Sequence, residues 1–297
     1  MSASLHTVAE ACNGCFACGQ VCPNKVLRLV DGKVNTDPMR AARCLQCAAC
    51  VMVCPKGALA LEGLHESGLL TLGAHGFGYD QLLSFLRGRR SVRLFKEAPV
   101  PREVLEQVLE AASTAPMGFP PHSTAVLVVD QKAELDRLFE AVRGGYEGML
   151  KAYRNPIARQ VLRLSAGAEA FHSIRTHVAE IVADANARFR ETGEDRYTYR
   201  APAVMLFHAN RRDVAYRTNA VIVATYAMLA AQALGLGTTL IDLVAPIVNR
   251  DAGLKRHWAI PDENEVVATL ILGYPKLRYL RGIRRRLKDV RYAGQGA

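Results

Sequence analysis

Apolar residues recur at helical spacing in PREVLEQVLEAAS, where Val104, Leu105, Val108, Leu109 and Ala112 share one face, and AELDRLFEAV repeats the pattern. Both stretches predict amphipathic helices. From Pro156 to about Arg190 the period is helical again, with Phe171, Ile174, Val178 and Ile181 on its apolar positions. A long helix is expected from about Asn219 to Leu234 and a shorter one near Val248 to His257. Apolar runs of strand length lie between them: TAVLVVD, AVMLFHA, TTLIDLV and EVVATLILG. The first sixty residues read differently. KVLRLVDGKVNTD predicts two short strands turning at Asp31-Gly32, and GALALEG predicts a third. The glycine-punctuated stretch EGLHESGLLTLGAHGFGYD has no clear period and reads as a linker. The expected organisation is a small domain over residues 1–63, a linker over 64–84 and a large domain over 85–297.

The most apolar stretch, AVIVATYAMLAAQALGLG from Ala220, is broken by Gln232, Gly235 and Gly237 and predicts a buried helix instead of a membrane span. MSASLHTVAEAC has no basic segment followed by an apolar run, so the chain is expected in a reducing cytoplasm with its thiols free. A net charge of +10 changes the picture only through its placement. Eight Lys or Arg and one Asp lie between Lys276 and Arg291, a tail that is either solvated or bound to phosphate or an acidic protein. No aromatic-interleaved basic motif accompanies it, which argues against nucleic acid.

All eight cysteines fall in two copies of one pattern, CNGCFACGQVCP and CLQCAACVMVCP, and none follows Cys54. Structural zinc takes cysteine pairs separated by a dozen or more residues. The spacing C-x2-C-x2-C-x3-C-P instead wraps a cubane, its first three thiolates meeting one cluster and its fourth reaching the other. We therefore expect one [4Fe–4S] cluster on Cys12, Cys15, Cys18 and Cys54, and a second on Cys44, Cys47, Cys50 and Cys22. Gly14, Gly19, Ala17, Ala48 and Ala49 leave room for backbone N–H groups to approach the sulfurs. Residues 1 to about 63 resemble a bacterial-type two-cluster ferredoxin along their whole length.

RGRRSVRLFKEAPVPREVLEQVLEAASTAP resembles the opening of the nitroreductase family of FMN flavoproteins, with its R-x-S-x-R stretch, helix and Ala-Pro turn. LAAQALGLGTTLID is similar to the family's Leu-Gly-Leu-Gly-Thr segment, and IPDENEVVATLILGYPKLRY to its closing strand and Gly-Tyr-Pro turn. The resemblance spans residues 85 to about 290 and implies an α+β fold, a nitroreductase-like α/β sandwich, behind the small ferredoxin-like domain. It implies FMN, with Arg89, Ser91 and Arg93 on phosphate and ribityl oxygens, Arg90 beside them and Arg285 closing from the tail. Guanidinium groups suit a phosphate through charge-assisted hydrogen bonds. Taken alone, the arginine run could be a solvated cluster before a helix. Pro116, Met117 and Gly118 match the turn bordering the isoalloxazine ring, although FPPHST follows where many members carry Asn and then Gln-Pro-Trp. Gly237 and Thr238 match a segment on the opposite side of the flavin. Gly235 and Gly237 are equally accounted for as helix C-terminal glycines.

The resemblance further implies a homodimer with FMN at the subunit interface. Two one-electron clusters match the two electrons of a flavin, so the expected activity is an FMN-dependent oxidoreductase passing electrons from the clusters to an organic acceptor: a nitro compound, activated alkene, quinone or halogenated aromatic. The expected donor is reduced ferredoxin or a similar low-potential carrier. An NAD(P)H-fed flavin reductase with accessory clusters is the alternative, although no Gly-x-Gly-x-x-Gly fingerprint is present. A non-enzymatic redox or iron sensor is the third reading. No side chain stands out as a catalytic acid or base. His122, His172, His208 and His257 are scattered, and Tyr146, Tyr153, Tyr197 and Tyr199 are as readily packed residues as pocket residues.

Overall fold

In the computed structural model, residues 5–62, 69–70, 72–73, 76–119, 123–166, 171–172 and 174–294 are described. The chain divides into two compact units, Met1–Gly76 with residues 118–122, and Phe77–Met117 with Ser123–Ala297.

The first unit holds strand β1 (Leu5–Thr7), helix α1 (Ala17–Val21), strands β2 (Leu27–Val30) and β3 (Lys33–Thr36), helix α2 (Ala49–Met52) and strand β4 (Leu59–Leu61). Strand β1, which the sequence pattern did not reveal, pairs antiparallel with β4. Val30 stands opposite Lys33, which leaves the two-residue turn expected at Asp31-Gly32. Both turn residues have positive φ, 50° and 73°, as a type I′ hairpin requires. Val26, Leu27, Val34, Val51, Leu59 and Leu61 form a small core around Cys12 and Cys18. So little apolar surface gives only a marginal fold unaided, and a bound metal group is the usual supplement.

The second unit opens with helix α3 (Tyr79–Gly88), so the boundary expected between residues 84 and 85 falls inside an element. The earlier part of the expected linker lies largely outside the described residues. Helix α4 (Arg102–Ser113) buries Leu105, Val108 and Ala112, as its period predicts. Strand β5 (Thr124–Val129) leads to helix α5 (Lys132–Arg154), which runs on through RGGYEGMLKAYR, well beyond the expected helix. Helix α6 (Pro156–Ala166) precedes a π-helical turn, Ile174–Val178, and helix α7 (Ala179–Thr192). Here the expected face is displaced: Val182 and Ala185 are buried while Ile181 is exposed. A π turn shifts the register of every residue after it, which a constant 3.6-residue period does not anticipate. Strand β6 (Ala203–Asn210), helix α8 (Tyr216–Ala233), strand β7 (Gly237–Leu240), helices α9 (Ala245–Arg250) and α10 (Ala252–His257), and strand β8 (Asn264–Gly273) complete the unit. The single helix expected near Val248–His257 is divided at Asp251, whose side chain accepts the Leu254 N–H at 2.9 Å and starts a new helix.

The sheet runs β5-β6-β8-β7, antiparallel throughout. Along β6, Val204 and Leu206 enter one core with Leu138, Val142, Val182 and Val248, while Ala203, Met205 and Phe207 enter another with Val108, Ala220, Ala224 and Ala227. Helices therefore cover both faces, and this is why AVMLFHA reads as a continuous apolar run instead of alternating. Among the described residues no helix is long and apolar enough to cross a membrane.

Candidate functional site

Four thiols of the first unit, Cys12, Cys15, Cys18 and Cys54, line one cavity with Phe16, Val34 and Ala58. The other four, Cys22, Cys44, Cys47 and Cys50, line a second with Val26, Arg43 and Leu61. The fourth cysteine of each motif thus joins the first three of the other. None of the eight is in a disulfide. Among the described residues no three His, Cys, Asp or Glu side chains are grouped to hold a single metal ion; each cavity is lined by four thiols. That donor set fits a cubane cluster.

The two motifs are related by an offset of thirty-two residues that also governs the backbone. Gly14 and Gln46 have φ of 76° and 54°, Phe16 and Ala48 57° and 56°, Lys25 and Gly57 51° and 59°. Left-handed residues in such loops turn successive N–H groups inward, which makes a concavity for negative charge. The Val26 N–H donates to Cys22 Sγ at 3.4 Å, and its counterpart, the Ala58 N–H, to Cys54 Sγ at 3.2 Å. N–H groups of Val34 and Gly14 hold the Cys12 thiol below its ordinary value. Burial pushes Cys18 up, and Cys50 up to about 11. Val26 and Ala58 were not singled out from the sequence; extending the repeat three residues past each Cys-Pro reaches them.

In the second unit Arg89, Arg90 and Arg285 line a common cavity, joined by Arg87, Arg284 and Arg286 on walls formed by Leu83, Leu86 and Ile283. Six arginines line it, and no Asp or Glu is among the described residues of its lining. Burial, then the neighbouring charges of Arg90 and Arg285, push Arg89 below its ordinary value. Among the described residues its Nη1 meets the sulfur of Met228 at 3.8 Å. An uncompensated cationic cavity of this kind fits a phosphate. The tail reaches it by folding back: Lys276 N–H donates to Leu94 O at 2.9 Å, Phe95 bridges Pro275, and the Tyr279 hydroxyl donates to Ser91 O at 3.3 Å. Arg87, Arg284 and Arg286 went unnoticed because arginine density alone does not say which members converge.

Ser91 is bridged directly to Thr238, and the Val92 N–H donates to Thr238 O at 2.9 Å. The two segments therefore lie side by side along one sheet edge. Arg93 does not line the arginine cavity; its guanidinium lies over the Tyr199 ring, 5.7 Å from the centroid. Gly235 ends α8 with φ 78°, with Leu236 N–H on Ala231 O and Gly235 N–H on Gln232 O, the paired bonds of a Schellman cap.

Met117 packs against the core, whereas Pro116 and Gly118 are exposed and none of the three lines the arginine cavity. Tyr146 and Tyr197 are core residues, stacked at 5.7 Å. His208 is buried against Asn264, and His257 meets Glu134 at 2.8 Å. His122 lies outside the described residues.

The profile described as Nitroreductase family matches residues 86–274, and that of the 4Fe-4S dicluster domain matches residues 11–58. A protein of Thermus thermophilus named NADH dehydrogenase is 29% identical over 188 residues, which cover 63% of this chain and 83% of that protein. The crystal structure of a nitroreductase with bound FMN from Desulfitobacterium hafniense DCB-2 is similar with a TM-score of 0.51 at 19% identity, covering 72% of this chain and 99% of that one.

Proposed function

The chain belongs to the nitroreductase family and carries an N-terminal 4Fe-4S ferredoxin-type domain, and from that premise we propose an FMN-dependent oxidoreductase whose two [4Fe–4S] clusters deliver electrons to the flavin for an organic acceptor. The observation that carries this reading is the crossed grouping of the eight thiols into two sets of four within a chain that also holds an anion cavity built of arginines. When bound, the clusters supply one-electron transfer and FMN supplies two-electron chemistry.

The chain's own residues bind and orient. Cys12, Cys15, Cys18 and Cys54 hold one cluster; Cys44, Cys47, Cys50 and Cys22 hold the other; Val26 and Ala58 N–H groups temper the sulfur charge. Arg89, Arg90 and Arg285 hold the flavin phosphate. Ser91 and Arg93 address oxygens further along the ligand, because four extended residues separate Arg93 from Arg89 by roughly 13 Å. Pro116, Met117, Gly118, Gly237 and Thr238 border the ring. A homodimer is supported by apolar tail residues left exposed in one chain, Leu277, Leu280, Ile283 and Leu287 among them. The working organisation is a cluster domain and a flavin domain in a cytoplasmic protein.

A second reading, an NAD(P)H-fed flavin reductase with accessory clusters, is favoured by the Thermus thermophilus relative named NADH dehydrogenase. Stopped-flow reduction of the flavin in anaerobic protein separates the two. Reduced ferredoxin is expected to be the fast donor, at a rate that falls with ionic strength because the chain carries +10. Cys54→Ala and Cys22→Ala should lose most of that rate. Equal rates with and without intact clusters, together with rapid reduction by NADH, would establish the second reading instead. Steady turnover with nitroaromatic, quinone or activated-alkene acceptors distinguishes either from a sensor.

A further inference from the structure

We propose that Tyr199 is a positioning residue for Arg93, its ring holding the guanidinium in place for the flavin, an inference that rests on reading Arg93 as a flavin contact. The loop that carries Tyr199 is built around one buried carboxylate. Asp195 accepts hydrogen bonds from Tyr197 N at 2.7 Å, Thr198 N at 2.9 Å, Thr198 Oγ1 at 2.5 Å and Arg200 N at 2.9 Å. Arg200 Nη2 closes the loop on Gly193 O at 2.7 Å. From the other side Tyr197 anchors it, with its hydroxyl on Asn186 Oδ1 at 3.2 Å and its ring on Tyr146. Within this frame Tyr199 and Arg200 have φ of 55° and 48°, a conformation that side-chain-bearing residues avoid and that persists only where the surroundings over-determine it. The result is a half-buried ring delivered under Arg93 at 5.7 Å.

The choice of partner matters chemically. Among the described residues Arg93 forms no ion pair with a carboxylate, whereas Arg143, Arg196 and Arg217 each do. A carboxylate would fix the side chain but neutralise it and occupy its N–H groups. An aromatic face restrains the guanidinium through its quadrupole and leaves the charge and the edge donors for an anionic or polar ligand.

The test uses full-length protein prepared anaerobically. FMN affinity is titrated by flavin fluorescence in flavin-stripped protein, and the rate of Arg93 modification by phenylglyoxal is followed by peptide mass spectrometry. Tyr199→Phe, which keeps the ring, should match the parent in both. Tyr199→Leu should weaken FMN binding about two- to fivefold and speed Arg93 modification. Tyr199→Asn, whose side chain tolerates the left-handed backbone, should do the same without added strain. In an Arg93→Ala background Tyr199→Leu should cause no further loss. Unchanged Arg93 modification in both ringless variants, or losses that multiply in the double variant, would overturn the proposal. If Arg93→Ala leaves FMN affinity intact, the proposal falls through its premise; modification is then still faster in Tyr199→Leu, which sets this case apart from absence of the tether.

Discussion

A methyl group placed on Gly237 would stand 2.7 Å from the Cβ of Val92. The arginine segment can lie along strand β7 only because position 237 has no side chain, and this contact sets the height at which Ser91 and Thr238 are bridged. Gly237→Ala should therefore force the segment outward, at an overpacking cost of about 1–3 kcal/mol. The expected result is a melting temperature lowered by several degrees together with weaker FMN retention. Val92→Ala introduced beside it should recover part of the loss. A Gly237→Ala protein that melts and binds flavin like the parent would mean that the segment is not seated by this contact.

The crossed thiols make a prediction that a simple count of cysteines does not. Anaerobically prepared protein should hold about eight iron and eight sulfide per chain. Cys54→Ala should damage the cluster of Cys12, Cys15 and Cys18, and Cys22→Ala the cluster of Cys44, Cys47 and Cys50. Iron analysis with electron paramagnetic resonance of the two variants should reveal two different surviving clusters. Damage limited to the cluster of the mutated motif would contradict the arrangement.

Arg89 and Arg285 approach one cavity from opposite ends of the second unit's sequence. If this cavity holds the flavin phosphate, as proposed, removing either guanidinium deletes charged hydrogen bonds to it, so Arg89→Ala and Arg285→Ala should each weaken FMN roughly tenfold or more. Iron content should stay unchanged. Flavin fluorescence titration and iron assay on the same samples check both parts, and full flavin retention by both variants would remove the phosphate from this cavity.

His208 gives the second unit an acid limit. Burial, then the nearby charge of Lys255, push its pKa below the ordinary 6.5, and Asn264 Nδ2 donates to its Nδ1 at 2.9 Å, an arrangement that suits the neutral ring. The unfolded chain therefore takes up the proton first. Stability contributed by neutral His208 is complete above about pH 6.5 and is lost as pH falls through the lower folded value. Chemical denaturation between pH 7 and 5 should show a declining midpoint, with a shallower decline in His208→Gln. Parallel declines in the two proteins would place the acid sensitivity elsewhere.

What the chain declares locally, it declares well. The cysteine spacing anticipates how the thiols share two cavities, three from one motif with the fourth of the other, because the fourth thiol of each loop stands apart from the three spaced every third residue. Asp31-Gly32 specifies its hairpin through φ, and the strands of the large sheet are legible as apolar runs because both faces are buried. Strand β1 was hidden, since three residues hold no period and their partner lies more than fifty positions away. The face of α7 was misread because the π turn before it moves the register. The arginines share this limit: RGRRSVR shows that cations are present, but the return of the tail along residues 91–96 decides that Arg87, Arg89, Arg90 and Arg284–Arg286 share a cavity, and an ordered loop decides that Arg93 rests on Tyr199. Spacing within a loop is a local constraint that a sequence states directly; convergence of like charges is a property of chain path, and only the packed fold supplies it.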